Sequence, residues 1–508
     1  MCKRNAAVCF LIIVFLLTVP STYAIPAFSR QYGTSCATCH IDFPKLNDFG
    51  KAFKDSGFKF PKNDEDFIKI PPVMLGAPAQ KEMFPKVIWP GTIPGMPQIG
   101  LRFNTFFQVY SRNRNTLVPP TADGGGGTFT PRTDFQPGLF SIFTAGNFGD
   151  GIAFWVDDDF SVGGANSNGG LGDGYLKFVN IGRLLKLPTD SLSLKVGQFE
   201  IDIPFSQART WNLSGWDIYD EANYGAASAL GVGGVNNAFA FSTPGEGVEL
   251  SGGHNYGGYH YSLAILNQST NPNGPPGAGP NVSPIVGTFS DSNFKDLYGR
   301  FQYRFNLEKD STSRNDVQAA GPNGPRDHTY LQVGTFYFYG RSVQRFTPTG
   351  STTVFTAREP FYRTGGDFSF NYRTFNLFGL YMYGHDRSQV FNGAQTGLMG
   401  APSARFNGGF LEADYLALPW LMAIMRYDRV QSEADFLNGQ AAASSGNYFQ
   451  PASATRNRVT PGVQFLIHAN IKASFEYQIR PQQTGTDASG NTQTVRTNQA
   501  IAGLEWVY

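Results

Sequence analysis

Cys36, Cys39 and His40 stand in one run, Cys-Ala-Thr-Cys-His, and two thiols and an imidazole at that spacing allow three chemistries. They can carry a covalently attached c-type haem, work as a redox dithiol, or supply part of a zinc site. Zinc needs further Cys or His ligands close by, and no histidine occurs between His40 and His254. A thioredoxin-like dithiol opens a helix behind a buried strand, and no βαβ setting is visible around this run. Covalent haem c is the best match. Each thiol adds its S–H across a haem vinyl group, and His40 reaches the iron from the proximal side. For the distal side no other His lies in the first hundred residues, which leaves Met74, Met83 and Met96. Met74, in "KIPPVMLGAP", is preferred, because the prolines can hold an extended strap across the second face. A thioether there raises the potential relative to a second imidazole. A five-coordinate iron, or a ligand from further along the chain, is the alternative.

The elements that position these residues begin with a leader. The chain opens Met1-Cys2-Lys3-Arg4, passes through the apolar block Val8 to Val19 and reaches the small-residue site Thr22-Tyr23-Ala24. Residues 1–24 read as a signal peptide cleaved after Ala24. Cys2 and Cys9 leave with it, so Cys36 and Cys39 are the only thiols left and a disulfide framework is excluded. Residues 25–76 form a small monohaem cytochrome c segment. Phe43, Leu46, Phe49, Gly50, Phe53, Gly57 and Phe58 follow His40 at near-helical spacing, so one amphipathic helix can lay its apolar face on the porphyrin. A segment this short buries a haem poorly alone, and the rest of the chain is expected to help enclose it. Residues 77–98, broken by Pro90, Pro94 and Pro97, make a stiff connecting strap.

From Ile99 to Tyr508 hydrophobicity alternates. In "LYGRFQYRF" Leu297, Gly299, Phe301, Tyr303 and Phe305 take one face, and Tyr298, Arg300, Gln302 and Arg304 the other. In "IKASFEYQIR" Ile471, Ala473, Phe475, Tyr477 and Ile479 alternate with Lys472, Ser474, Glu476, Gln478 and Arg480. Aromatics on one face and charges of both signs on the other mark strands between lipid and a wet lumen. Sixteen such segments start near residues 99, 136, 151, 173, 191, 245, 258, 294, 328, 361, 374, 406, 420, 457, 470 and 496. Short and long connections alternate between them, except that the long Leu307–Asp327 connection falls where a short turn is due. The last strand ends "GLEWVY", on an aromatic. The fold class is therefore mainly β: an antiparallel transmembrane barrel of about 16 strands over 99–508, preceded by a small α-helical haem segment. The chain then sits in the outer membrane as a multi-pass barrel, with its N-terminal segment entering from the periplasmic side. A barrel of this size encloses an aqueous passage unless something fills it, and the haem segment is a fitting filler.

The run "IPAFSRQYGTSCATCHIDFPKLNDFGKAFKDSGF", a monohaem motif followed by Phe-Pro-x-Leu-Asn-x-Phe-Gly and then a long barrel-like chain, resembles the fused outer-membrane monohaem cytochrome c–porin of iron(II)-oxidising bacteria. The likeness is specific over 25–60 and architectural over 99–508. It implies an electron-transfer conduit that takes electrons from extracellular ferrous iron, or another reductant, and passes them to a periplasmic cytochrome or copper protein. Cys36 and Cys39 match the attachment positions and His40 the proximal ligand. If any enzyme name applies, it is iron(II):cytochrome c oxidoreductase, acting by electron transfer.

Asp157, Asp158 and Asp159, with Asp202, Asp217, Asp220 and Glu221 of the longest external loop, are oxygen donors suited to ferrous ions. The simpler reading, and the preferred one, is a set of solvated rim charges such as porins commonly carry. Losing the leader removes Lys3 and Arg4 from 40 basic residues against 39 acidic ones, and that balance gives no reason to expect nucleic acid. Other readings are a diffusion porin whose haem is a plug or sensor, electron export in the reverse direction, and a haem peroxidase or nitrite reductase. The last needs an acid–base group beside the iron, and no second His lies near His40.

Overall fold

The computed structural model describes residues 27–42, 44–74, 76, 78–86, 92–93, 95, 98–110, 132–149, 151–161, 170–206, 210, 212–221, 241, 244–267, 294–307, 329–346, 355–386, 389–391, 398–400, 404–432, 450–451, 453, 455–481, 483–486, 492–495 and 498–508. The leader, Met96 and most of the Leu307–Asp327 connection lie outside these residues.

Sixteen strands close into one antiparallel barrel. They are β1 Ile99–Tyr110, β2 Arg132–Asn147, β3 Ile152–Ser161, β4 Gly170–Phe178, β5 Ser193–Phe199, β6 Gly245–Gly253, β7 Gly258–Leu266 and β8 Asp296–Asn306. The remainder are β9 Tyr330–Phe346, β10 Phe355–Tyr372, β11 Phe375–Asp386, β12 Ala404–Leu418, β13 Leu421–Ser432, β14 Thr455–His468, β15 Ile471–Gln478 and β16 Gln499–Val507. The last strand pairs with the first, from Gln499↔Tyr110 to Val507↔Arg102, so no edge remains. The count of sixteen is met, and the anomalous connection from β8 to β9 does fall at the end where the other turns are short.

The alternation in sequence becomes two faces. In β8 Leu297, Phe301, Tyr303 and Phe305 point outward and exposed, while Tyr298, Arg300, Gln302 and Arg304 are buried inside. A backbone paired strand to strand around a closed ladder, wrapped in exposed Leu, Ile, Phe and Tyr, suits lipid rather than water. Tyr372, Tyr415, Trp420 and Tyr508 stand exposed at the short-turn end, where an aromatic girdle meets the headgroups. The chain is thus an outer-membrane multi-pass β-barrel. Short turns face the periplasm in such barrels, and both chain ends lie at that end.

The lumen is filled in two layers. The N-terminal module, with helices α1 Ala27–Tyr32 and α2 Asp48–Asp55, sits in the periplasmic mouth. Its Phe58 ring lies 5.7 Å from Trp155 of β3, and Arg30 lies over the ring of Tyr508. Above it, the chain after β5 turns inward. Ile201, Ile203, Trp216, Ile218 and Tyr219 are buried against Phe336, Phe378, Leu380 and Phe410 of the wall. Trp216 stacks on Phe410 at 4.6 Å, and Phe205 packs on Phe378 at 4.8 Å. The layers meet where Lys45 of the module lies 4.9 Å from the Phe378 ring.

Candidate functional site

The run Cys36–His40 is built on one tight turn. Cys36–Thr38 form a single 3-10 turn with Cys39 as its cap, its N–H donating to the Cys36 carbonyl. Cys36 and Cys39 are both half-buried and neither is in a disulfide. Burial pushes the Cys36 thiol up, and it pushes Cys39 up to about 12, with Cys36 adding to the effect. Both stay protonated at neutral pH.

His40 follows on a short strand, His40–Asp42, paired with Lys45–Leu46. Its Nδ1 lies 3.1 Å from the Pro44 carbonyl oxygen. A carbonyl only accepts, so Nδ1 carries the proton and Nε2 the lone pair. Burial holds the imidazole neutral, lowering its pKa to about 4 against the pull of the Pro44 carbonyl. A neutral imidazole whose second nitrogen donates to a carbonyl is the form that binds metals. Cys39 packs against a buried cluster that includes Tyr32, Phe49, Phe53, Phe58 and Phe60, an apolar environment of the kind a porphyrin needs. These residues fit haem c: Cys36 and Cys39 would hold it and His40 would face its iron.

What fixes this turn is Asn47, which is fully buried. Its Oδ1 caps α2 by accepting from the Gly50 N–H at 2.8 Å, its Nδ2 donates to the Ala37 and Thr38 carbonyls, and its own N–H donates to Cys39. Gly50 is required for contact, because a Cβ there would lie 2.1 Å from the Cys39 carbonyl oxygen. The Leu-Asn-x-Phe-Gly pattern is thus the bolt joining α2 to the Cys36–Cys39 turn. Asn47→Ala removes a helix cap and unsatisfies buried carbonyls, with an expected cost of about 2 kcal/mol. Hydrogen–deuterium exchange over residues 36–55 of the full-length protein checks it.

The expected long helix is shorter than its apolar spacing suggested. α2 ends at Asp55, and Gly57 (φ 80°) and Phe58 (φ 59°) turn the chain back. Phe49 and Phe53 meet Tyr32, Phe58 and Phe60, with Tyr32 and Phe60 stacked at 4.2 Å.

The module is latched into the barrel by a buried pair. Arg304 of β8 donates to both carboxylate oxygens of Asp48 at 2.7 and 2.6 Å, and its guanidinium lies 3.5 Å from the centre of the Tyr330 ring. Lys45 donates to Asn376 and approaches Asp414, while the backbone and side-chain N–H groups of Asn255 donate to Asp55. Between module and wall a polar gap of water-molecule size is lined by Asp55, Lys177, Asp190, His254 and His260.

Met74 stands on a two-residue strand, Val73–Met74, paired with Thr92–Ile93 of the strap, and is 56% exposed. Met83 is exposed at the end of the short helix Pro78–Met83. His254, His260 and His468 are turn or lumen residues, beside Asp190, Asp202 and Asn470 respectively.

The acidic groups expected in an external loop are placed differently. Asp202 is turned into the lumen against His260 (3.1 Å) and Arg300 (3.8 Å), and Asp217 meets Arg458 (3.0 Å) and Arg480 (2.8 Å). Burial works to raise the Asp217 carboxyl, but the two arginines outweigh it and hold it well below the usual range. Both carboxylates are spent on protein cations rather than open to a ferrous ion. Asp157 accepts from the Asp173 N–H. The side chains of Asp159, Asp220 and Glu221 lie outside the described residues.

The inward loop is stitched to the wall. Glu412 accepts from Asn212 and from the Trp216 indole at 2.9 Å, Glu476 accepts from Leu213 and Ser214, and Asp428 accepts from the Asp217 N–H. Nothing local in the sequence announced this, although Trp216, Ile218 and Tyr219 in an otherwise Gly- and Asn-rich stretch were a burial signal.

Fold and site define a class: an outer-membrane β-barrel whose own N-terminal module occupies its lumen. No family model and no curated protein matches the sequence. Among solved structures the chain is similar to an anion-selective porin from Comamonas acidovorans, 10% identical, covering 81% of this chain and 99% of that one at a TM-score of 0.46. It is also similar to the outer membrane channel DcaP of Acinetobacter baumannii (10% identical, 81% and 97% covered, TM-score 0.42) and to OprB of Pseudomonas putida (9%, 81% and 94%, 0.42). At these scores the barrel rests on its own closed ladder rather than on the likenesses.

Proposed function

We propose that the chain is an outer-membrane electron-transfer conduit carrying one covalent haem c. The observation that carries this reading is the position of the Cys36–His40 turn, in a module latched by Arg304 inside the periplasmic mouth. Haem c, when bound, would supply a one-electron iron couple. Cys36 and Cys39 hold the group against loss to the medium, His40 presents Nε2, and the Pro44 carbonyl fixes its tautomer. Met74, paired with Thr92 of the strap, is the proposed distal ligand. The inward loop excludes bulk water from above. One electron leaves an extracellular donor, ferrous iron becoming ferric, and one periplasmic cytochrome or copper protein is reduced.

A second reading is a diffusion porin in which the same module is a plug or sensor. Barrels of sixteen strands ordinarily leave an aqueous channel, so the barrel taken alone favours it. The two filled layers of the lumen fit either reading, because a plug fills the lumen as a conduit does.

Stopped-flow mixing of the haem-loaded full-length protein with ferrous iron should give prompt reduction of the haem. Absence of reduction, with oxidation of the reduced protein by ferric mineral, would point to export instead. Solute flux through liposomes carrying the unmodified protein would favour the porin.

A further inference from the structure

The connection from β4 to β5 is unlike the other described periplasmic turns. It contains a 3-10 helix, Ile181–Leu185, and places Leu184 at 86% and Leu185 at 67% exposure, flanked by exposed Arg183 and Lys186. Two adjacent leucines facing water this fully are unfavourable unless something covers them.

Their presentation is held by the backbone. Asn180 (φ 59°) and Lys186 (φ 58°), neither of them glycine, adopt left-handed conformations at the two ends of the helix. The Asn180 side chain accepts from the Asp190 N–H, the Leu187 N–H donates to the Gly182 carbonyl at 2.9 Å, and Tyr261 ties down the Ser191 carbonyl at 2.8 Å. Backbone strain kept in place by so many bonds marks a segment whose shape is used.

The surface beside it is already lipid-facing. Leu176 of β4 and Val196 of β5 are directly opposite cross-strand partners, and both are exposed on the outer face. Phe148, exposed at the β2–β3 turn, stacks on Phe154. The leucine pair lies in the connection that joins these two strands at the periplasmic rim.

We propose that residues 183–187 are a phospholipid clamp on the periplasmic leaflet, with Leu184 and Leu185 among acyl chains and Arg183 and Lys186 against headgroup phosphates. Long cationic side chains beside apolar ones suit an anionic lipid surface, whereas a soluble protein partner would need no connection to the bilayer-facing strands. The proposal is independent of whether a haem is carried.

The test replaces Leu184 by benzoylphenylalanine in the full-length protein, reconstituted in phosphatidylethanolamine and phosphatidylglycerol vesicles and irradiated. Position 381, on the exposed face of β11, serves as the bilayer control. A phospholipid adduct at 184 as strong as that at 381 is expected. No adduct at 184 beside a clear one at 381, or a protein adduct at 184 in irradiated cells, would overturn the clamp. Arg183→Glu with Lys186→Glu should weaken the 184 adduct in these anionic vesicles, and an unchanged yield would remove the phosphate half of the proposal.

Discussion

Replacing Arg304 by alanine opens the barrel. The wild-type protein in a planar bilayer is expected to be electrically quiet, and Arg304→Ala to conduct. Arg304 and Asp48 are 1% and 0% exposed, so the mutation leaves the buried carboxylate to the more exposed Lys51, 3.2 Å away, and takes from it the bidentate partner contributed by the wall. Breaking a buried pair from one side costs about 3–5 kcal/mol. The module's other ties are weaker: Lys45 with Asn376 and Asp414, Asn255 with Asp55, and the Arg30–Tyr508 contact lie nearer water. Removing both charges, as Arg304→Ala with Asp48→Ala, should recover part of the loss, because no buried carboxylate is left and Lys51, 23% exposed, can turn to water. A double variant as leaky as the single one would show that the pair does not hold the module.

Acid reproduces the effect by a route whose sign can be worked out. Burial works to raise the Asp48 carboxyl, but Lys51 and Arg304 together hold it below its ordinary value. A depressed carboxyl contributes stability above its unfolded pKa, near 4, and loses it as the pH falls through the folded value. The wild-type barrel should therefore stay closed from neutrality down to about pH 4 and begin to leak only below it.

How much of this could be read without coordinates depends on the range of the interaction. The faces of β8 follow from alternation alone, because Leu297 and Phe301 report lipid and Arg300 and Arg304 report a wet interior within one short segment. The partner of Arg304 is another matter. Asp48 lies 256 positions away, and no periodicity connects a lumen arginine to the N-cap turn of a distant helix. Asn47 and Gly50 were visible as a pattern, yet their role needed the approach of α2 to the Cys39 carbonyl, a distance that spacing does not give. The inward loop was misread for a third reason. Gly- and Asn-rich composition describes the backbone's freedom, whereas the destination of the loop is set by Trp216 and its hydrogen bond to Glu412 across the lumen.

Replacing both cysteines, Cys36→Ser with Cys39→Ser, should abolish pigment that survives denaturing electrophoresis while leaving the barrel folded. The thiols are in no disulfide, so no cross-link is lost. The 3-10 turn is held by the backbone of Cys36 and by Asn47, neither of which needs sulfur, and serine keeps the volume close. The change is therefore confined to the two atoms able to make thioether bonds. Single replacements should leave one covalent bond and a shifted spectrum; the double replacement leaves only His40, whose Nδ1 remains committed to Pro44. Haem retained on denaturing gels by the double variant would rule out thioether attachment at this turn. Loss of haem together with collapse of the barrel, seen as lost resistance to unfolding in detergent, would mean that the turn supports the fold. Loss of haem with an intact barrel is the outcome that ties the pigment to Cys36 and Cys39.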